Sequence, residues 1–266
     1  RLILQGKGQM TLPGCSAYVV NAGQTGYYRS LYPAANVEAL AAGFTRLPAI
    51  DQTGLLADNF QLGLGGYQPM GLALDLIDAV PATATPAVLA QVPGYLDSAY
   101  AMLEGDQAGQ AKVAAYTSAK LTPVLTGIGY DAKPGENPQV PVLRSALVGT
   151  LGEMGDKAVV AEANRRFAAL ASDPAALDGP LRNVWMAIIA KNADQATWDR
   201  LRALAKGAKT DLEKSTLYAL LGGAKDEKLA RQALDLALTD EPGKTTSAAI
   251  ISQVGYEHPM LAVDYV

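Results

Sequence analysis

The residue types that build catalytic metal sites are almost missing from this sequence. It contains one histidine, His258, and one cysteine, Cys15. A catalytic zinc ion usually has three protein ligands, commonly two histidines and a glutamate or a mixture of cysteine and histidine. The chain therefore cannot be a self-sufficient zinc hydrolase. A serine or cysteine nucleophile would have only His258 as a histidine base, and no sequence pattern supports that arrangement.

These two rare residues have simpler interpretations. His258 precedes Pro259 at a predicted helix start, which is typical of a capping or surface residue. Cys15 follows Pro13-Gly14 and is interpreted as a plain thiol in a turn. A single cysteine excludes an internal disulfide bond, and it leaves both a cytoplasmic and a periplasmic localisation open.

Two glycine-containing stretches resemble parts of nucleotide-binding loops. Residues 242–245 mimic the end of a phosphate loop, but the motif needs a glycine where Leu238 stands. It also needs a preceding strand, where we predict a helix. Residues 63–66 follow another predicted helix and are interpreted as its stop. The sequence therefore does not predict a nucleotide site.

The remaining candidates are charged pairs and tryptophans. They are Asp226-Glu227, Asp240-Glu241, Arg165-Arg166, Arg200, Arg202, Trp185 and Trp198. Carboxylates at exposed helix starts suit the helix dipole, and the arginines are interpreted as solvated helix faces. Both tryptophans fall on apolar helical stripes and are predicted to lie in the core.

Composition narrows the class of protein further. Of the 266 residues, 49% are apolar and 18% are charged, which is typical of a globular chain. The net charge is −4 and no basic run occurs, so a nucleic-acid interface is not expected. The longest apolar stretch, near Val184–Ala190, is far shorter than the roughly 20 residues of a membrane-spanning helix. Because the sequence begins at Arg1, we expect it to be a piece of a longer chain.

Residues 1–33 differ from the rest in their pattern. Short runs at Arg1–Gln5, Ala17–Asn21 and Gly26–Tyr32 have β-branched, aromatic or alternating residues and are separated by Gly and Pro, which predicts strands. Three strands at the end of a chain would leave sheet edges unpaired. We therefore expect most of this sheet to lie upstream.

Helices are predicted from Pro33 onward. Val37–Leu47 would start at an Asn36 cap, and Asp51–Leu64 would start at an Asp51 cap. Further helices are expected at Gly71–Val80, Pro86–Glu104 and Gln107–Gly127. The segment Asp131–Pro141 is rich in Pro and Gly and is predicted to be a loop.

Regular apolar stripes follow this loop. They comprise Leu143, Leu147, Leu151 and Met154; Val160, Ala163, Phe167 and Leu170; Leu181, Trp185 and Ile188; Trp198, Leu201 and Leu204; Leu212, Thr216 and Leu220; Leu229, Ala233 and Leu236; and Ile250, Ile251 and Val254. Helix pairs of roughly 30–35 residues have the size of helical repeats. The predicted fold is mainly α, a HEAT/armadillo-like helical solenoid (α-α superhelix) after a short β-strand remnant. Residues 258–266 would open another helix, so we expect the domain to be truncated at its end.

Two stretches resemble one family. Residues 18–32 are similar to an N-x-x-x-x-G-Y-Y-R-V-x-Y strand through Asn21, Gly26, Tyr27, Tyr28, Arg29 and Tyr32. Residues 55–62 match an L-L-x-D-x-F-x-L helix, and residues 135–185 supply weaker matches at 135–137, 143–144, 162–167 and 181–185. The pattern resembles the C-terminal region of zinc aminopeptidases of the aminopeptidase N and puromycin-sensitive type. Ser30 departs from the usual valine, and Tyr18 stands where a tryptophan is common.

The resemblance implies how the chain is divided into domains and which domain carries the catalytic residues. Residues 1–33 would be the end of a β-sandwich domain, and 34–266 would be a C-terminal helical domain. Zinc and its H-E-x-x-H ligand helix would lie in the upstream catalytic domain, so no catalytic, metal or cofactor residue is assigned here. The domain would be non-catalytic, wall the active-site chamber and limit the access of peptide substrates. Its interdomain candidates are Tyr27, Tyr28 and Arg29, with the aromatic rings packed between domains and Arg29 paired to a carboxylate or to carbonyls.

An alternative hypothesis is a free-standing helical-repeat scaffold that binds protein partners on its concave face. The predicted strand segment distinguishes the two hypotheses, because a pure scaffold would not need it. The aminopeptidase hypothesis also predicts an H-E-x-x-H motif upstream in the coding sequence.

Overall fold

The regular structure of this protein is helical. The computed structural model describes residues 8–12, 14 and 16–265, and within these ranges no β-strand is present. The α-helices are α1 Ala34–Ala42, α2 Ala49–Leu64, α3 Met70–Ala79, α4 Pro86–Leu89, α5 Gln91–Ala101, α6 Gln107–Ile128, α7 Val140–Glu153, α8 Lys157–Ala169, α9 Arg182–Lys191, α10 Gln195–Gly207, α11 Asp211–Leu220, α12 Glu227–Ala237, α13 Lys244–Glu257 and α14 Pro259–Tyr265. The predicted mainly-α class is confirmed. None of the described helices is long and apolar enough to cross a membrane.

The chain forms two compact units, residues 1–92 and 93–266, and the division falls within α5. In the first unit, α3 packs against both α1 and α2. Phe44, Leu56, Phe60 and Leu76 are each at most 2% exposed and form its core. Burial of such large apolar side chains is the main favourable contribution to folding.

The second unit is built from alternating helices. Helices α7, α9, α11 and α13 each contact the next member of this series, while α8, α10 and α12 pack against them. Because helices α7 to α13 rest on neighbours close in sequence, their apolar side chains are buried against one another. The structure shows this order of helix contacts, and the HEAT/armadillo-like solenoid remains a prediction.

Most predicted apolar stripes are buried. Trp185 and Trp198 are 1% and 0% exposed, as predicted. The stripe on α11 is wrong, because Leu212 is 78% exposed while Leu217 and Tyr218 are buried. Leu212, Thr216 and Leu220 have helical spacing, but the helix turns its Leu217–Tyr218 side toward the core.

The amino-terminal segment does not form the predicted strands. Ala17–Asn21 and Gly26–Tyr32 have no sheet pairing, and Ala22–Gln24 forms a short 3₁₀ turn between them. Arg1–Gln5 lies outside the described residues. A strand needs a neighbouring strand for its backbone hydrogen bonds, and here side chains of the helices supply several of those partners. The boundary at residue 33 remains a prediction.

Candidate functional site

The amino-terminal segment is attached to α1 by a reciprocal pair of hydrogen bonds. The backbone N–H of Tyr18 donates to Oδ1 of Asn36 at 3.1 Å, and Nδ2 of Asn36 donates to the Tyr18 carbonyl at 3.0 Å. Asn36 therefore lies inside α1, 8% exposed, and is not its cap as predicted. Pro33 occupies the cap position instead. An asparagine amide can satisfy a donor and an acceptor of one extended residue at once.

Tyr32 joins the end of the amino-terminal segment to its beginning through the backbone of Val20. Its hydroxyl accepts from the Val20 N–H at 2.9 Å and donates to the Val20 carbonyl at 3.2 Å. Its ring lies 6.0 Å from that of Tyr18. Burial raises the pKa of Tyr32, so the hydroxyl stays protonated and keeps both hydrogen bonds.

A tight loop at Asn21–Gly26 fits onto α2. Oδ1 of Asn21 accepts from the Gly26 N–H at 2.6 Å, and Nδ2 of Asn21 donates to the Gly26 carbonyl at 2.9 Å. Asn21 has φ of 60°, a left-handed conformation that asparagine tolerates better than most residues. The N–H of Gly23 donates to Oδ1 of Asp51 at 2.6 Å, so Asp51 holds the loop and is not the cap of α2. A Cβ on Gly54 would lie 2.1 Å from the amide of Gln24, so only glycine leaves room for that side chain.

Asp58 makes the third attachment. Its Oδ2 accepts from the backbone N–H of Ser30 at 2.9 Å, and the carboxylate is 10% exposed. The guanidinium of Arg29 lies 3.5 Å from Oδ1 of Asp58 and 3.4 Å from the Ala57 carbonyl. Of the first resemblance pattern, Arg29 and Asp58 thus attach the segment to α2. Asn21, Gly26 and Tyr32 make hydrogen bonds within the segment itself.

Tyr27 and Tyr28 point away from these attachments. Tyr27 is fully exposed at 109%, and Tyr28 and Leu31 are 55% and 54% exposed. The Tyr28 ring lies over Gly26, where an added Cβ would be 2.3 Å from it. We refer to these three exposed side chains together as the YYL surface.

The second resemblance stretch is also a set of charge contacts. Arg144 is 3% exposed and binds both oxygens of Glu136, at 3.1 and 2.5 Å, as well as the Gly129 carbonyl at 2.8 Å. These bonds fix the predicted loop against α7. They also lower the pKa of Glu136. A buried, bidentate pair of this kind holds its geometry better than a surface pair.

Arg166 departs from the predicted solvated face. Its side chain is 13% exposed, binds Glu162 and Asp131, and lies 5.2 Å from the centre of the Trp185 ring. Arg165, by contrast, is 66% exposed, as predicted. An arginine over an indole gains a cation–π interaction in addition to its ion pairs. No sequence pattern distinguishes the buried Arg166 from the exposed Arg165, because the two arginines are adjacent.

A polar cleft of about 640 Å³ opens in the second unit between α5, α6, α7, α9 and α13. Lys191 lies in it with Glu153 and Glu257 as its partners, and its side chain is 11% exposed. Burial disfavours the charge of Lys191, but the hydrogen bonds to both carboxylates outweigh it and raise its pKa. Asp97, on the same wall, accepts from Oγ1 of Thr150 at 2.6 Å, and burial raises its pKa.

His258 has a structural contact. Its Nε2 lies 2.9 Å from the Ala224 carbonyl, where it joins the end of α13 to the segment before α12. Cys15 is outside the described residues. Across residues 8–12, 14 and 16–265, no group of three or more His, Cys, Asp or Glu is arranged to hold a metal ion.

The packed helices and the amino-terminal segment held against α1 and α2 define a mainly-α domain. The chain matches the ERAP1-like C-terminal domain over residues 17–266 and belongs to that family. It is 28% identical over 247 residues to Aminopeptidase M1-A of Oryza sativa subsp. japonica and 24% identical over 250 residues to Aminopeptidase M1-B of the same organism. These matches cover 89% and 90% of this chain but 28% of each relative. The resemblance to the C-terminal region of such aminopeptidases is confirmed.

Proposed function

We propose that this chain is the non-catalytic C-terminal domain of a zinc-dependent aminopeptidase that releases N-terminal residues from peptides. In the full protein it walls the active-site chamber and limits which substrates reach the metal. The zinc ion and the catalytic residues belong to an upstream domain of the same chain. Family membership and the aminopeptidase names of the two rice relatives support this function.

The exposed YYL surface supports the proposal that this domain packs against an upstream domain of the same chain. The backbone N–H of Ser30, between Tyr28 and Leu31, donates to Asp58 of α2. Earlier in the segment, Tyr18 and Gly23 bind Asn36 and Asp51. Tyr27 is fully exposed, Tyr28 and Leu31 are about half exposed, and aromatic residues are enriched at protein interfaces. We infer that Tyr27, Tyr28 and Leu31 pack against the upstream domain, while Arg29 holds the strand-like segment to α2.

The interface is tested in the full-length protein. The double variant Tyr27→Ala/Tyr28→Ala should lower the temperature at which the helical domain separates from the catalytic domain, because it removes two aromatic contacts. Tyr67→Ala is the matched control, since Tyr67 is 72% exposed but lies outside the segment. Calorimetry of both variants gives the answer. Equal unfolding profiles for the two variants would rule out this interface.

The role as a chamber wall has a separate test. Deleting the domain from the full protein should leave hydrolysis of a single-residue chromogenic amide measurable while relaxing discrimination between short peptides and folded proteins with free N-termini. Unchanged discrimination, measured as the ratio of kcat/KM values, would contradict the wall. The isolated chain should hydrolyse no aminoacyl chromogenic substrate and bind no stoichiometric zinc. Stable capture of a separate protein partner, with no peptidase region upstream, would favour the scaffold alternative.

A further inference from the structure

The segment between α8 and α9 contains the only place in the sequence where an aspartate or asparagine is followed directly by glycine, Asp178-Gly179. Both residues are exposed. The residue before them, Leu177, is 2% exposed and anchors the segment to the core. A carboxyl group and the backbone amide that follows it therefore lie together at the surface, in contact with water.

Hydrogen bonds on either side of this dipeptide leave its two reactive groups free. The N–H of Asp178 donates to the Ala175 carbonyl at 2.9 Å, and the Gly179 carbonyl accepts from the N–H of Arg182 at 3.1 Å. Among the described residues, none accepts a hydrogen bond from the Gly179 N–H, and none binds the Asp178 carboxylate. Gly179 has φ of 114°, a conformation that residues with a side chain rarely adopt, and no Cβ covers its nitrogen.

We propose that Asp178-Gly179 is a site of isoaspartate formation through a cyclic succinimide. The backbone nitrogen of Gly179 attacks Cγ of Asp178 and forms a C–N bond. A Cγ–O bond breaks, and that oxygen leaves with its electron pair as water, which carries away the proton lost by the nitrogen. A second water molecule then adds to the main-chain carbonyl carbon of Asp178 and breaks the bond from that carbon to nitrogen. Water is the only co-reactant, and nothing is oxidised or reduced.

The product changes both the backbone and the surface of this segment. The main chain then runs through Cβ and Cγ of Asp178, which lengthens it by one carbon atom between the buried side chains of Leu177 and Leu181. The Gly179 carbonyl is displaced from the N–H of Arg182, the first residue of α9. The main-chain carboxylate of Asp178 becomes free at the surface, and it is the group that a carboxyl methyltransferase using S-adenosylmethionine would recognise.

Other aspartates show that an exposed position is not sufficient. Asp131 is 78% exposed and lies in the loop before α7, but its carboxylate binds Arg166 at 2.8 Å and the next residue, Ala132, has a Cβ. Asp173 lies in the same segment as Asp178, but it precedes Pro174, whose nitrogen has no hydrogen and cannot close the ring.

Isoaspartate is measured in the folded chain after prolonged incubation in warm neutral buffer. The probe is an isoaspartyl carboxyl methyltransferase with labelled S-adenosylmethionine, followed by tryptic digestion and mass spectrometry. Cleavage after Arg166 and Arg182 releases residues 167–182, and cleavage after Lys120 and Arg144 releases residues 121–144, which carry Asp131. Label should accumulate in 167–182 well before it appears in 121–144.

Two comparisons make the result decisive. Because the Gly179 N–H is unpaired in the fold, residues 167–182 should be labelled at comparable rates in the folded and the urea-denatured protein. Asp178→Glu should abolish the label in 167–182, since the longer side chain closes a larger ring much more slowly. The variant should still fold, because the side chain is exposed and unpaired.

Three outcomes would overturn the proposal. They are labelling of 167–182 in urea but not in the folded protein, equal labelling of 167–182 and 121–144, and label that persists in the Asp178→Glu variant. None of these measurements depends on peptidase activity, so their result is independent of the proposed function.

Discussion

Glu241 shows how one side chain can join three parts of the helical array. Its carboxylate accepts from Nε and Nη2 of Arg202 at 2.7 and 2.6 Å, from Lys206 at 2.9 Å and from the hydroxyl of Tyr218 at 3.2 Å. Arg202 and Lys206 belong to α10, Tyr218 belongs to α11, and Glu241 itself lies before α13. The hydrogen bonds from Arg202 hold the pKa of Glu241 at about 2, and burial next to this carboxylate raises the pKa of Tyr218 to about 12.

The lowered pKa of Glu241 predicts a loss of stability in acid. A carboxylate whose pKa falls from 4.5 unfolded to about 2 folded stabilises the fold above pH 4.5, and this contribution is lost as the pH falls toward 2. Glu241→Gln should therefore be less stable than the parent at neutral pH, and the gap should shrink in that acidic window. Urea unfolding at several pH values measures it. Asp240→Asn is the control, and a gap that does not depend on pH would contradict the assignment.

Trp185 and Leu212 were both predicted to lie on apolar helical stripes, but only Trp185 is buried. Trp185 is 1% exposed, with the Tyr130 ring 5.4 Å away, whereas Leu212 is 78% exposed. Trp185→Ala should lower the free energy of unfolding by about 3–5 kcal/mol. Leu212→Ala should change it by no more than about 0.5 kcal/mol, as is usual at the surface. Chemical denaturation of both variants is sufficient, and similar losses would show that the sequence stripe was right.

At the scale of elements, α2 acts as the platform for the amino-terminal segment. Its first turn holds Gly23 through Asp51, its middle leaves room for Gln24 at Gly54, and its later turns hold Ser30 through Asp58. These positions lie on successive turns of one helix, at intervals of three to four residues along its sequence. The face that contacts the segment is therefore as well defined as the apolar face that contacts α3.

Gly54→Ala should loosen this attachment without unfolding the domain. The new methyl group would lie 2.1 Å from the Gln24 amide, and that flexible side chain would have to leave. Alanine itself favours helix by about 0.5–1 kcal/mol over glycine, so global stability should not fall. Hydrogen exchange at the amides of Gly23 and Gly26 should become faster.

The control for this change is Gly127→Ala in α6, where an added Cβ meets nothing within 4 Å. It should leave exchange in residues 18–32 unaltered. Equal exchange rates in the Gly54 variant and the parent would mean that Gln24 does not hold the loop.

For the whole molecule, the sequence predicted helices and loops well and the amino-terminal segment poorly. Helix Gln107–Ile128 and the loop before Val140 follow from local apolar spacing and Pro-Gly content. Asn36 and Asp51 were assigned as caps because a cap and a long-range hydrogen-bond partner have the same local pattern. Only the fold shows that residues 18, 23 and 30 are the distant partners.

The sequence identified one part of the candidate site, the amino-terminal segment, and missed the other, the cleft. The Asn21-to-Tyr32 pattern marked the right segment, because Asn21 and Tyr32 make the hydrogen bonds that hold its conformation. The attachments through Asn36 and Asp51 lie outside that pattern. The polar cleft was missed. Its lining residues come from positions as far apart as Asp97 and Glu257, and no local spacing brings them together.

The attachment of the amino-terminal segment has a consequence for building chimeras from this family. A junction placed at residue 33 would keep the helices but remove the partners of Asn36, Asp51 and Asp58. Each polar group that loses its hydrogen-bond partner and stays buried lowers the stability of the fold by on the order of 1–3 kcal/mol. The family match begins at residue 17, one residue before the first of these attachments. The junction of a chimera should therefore lie before Tyr18, so that the transferred domain keeps the segment that binds Asn36, Asp51 and Asp58.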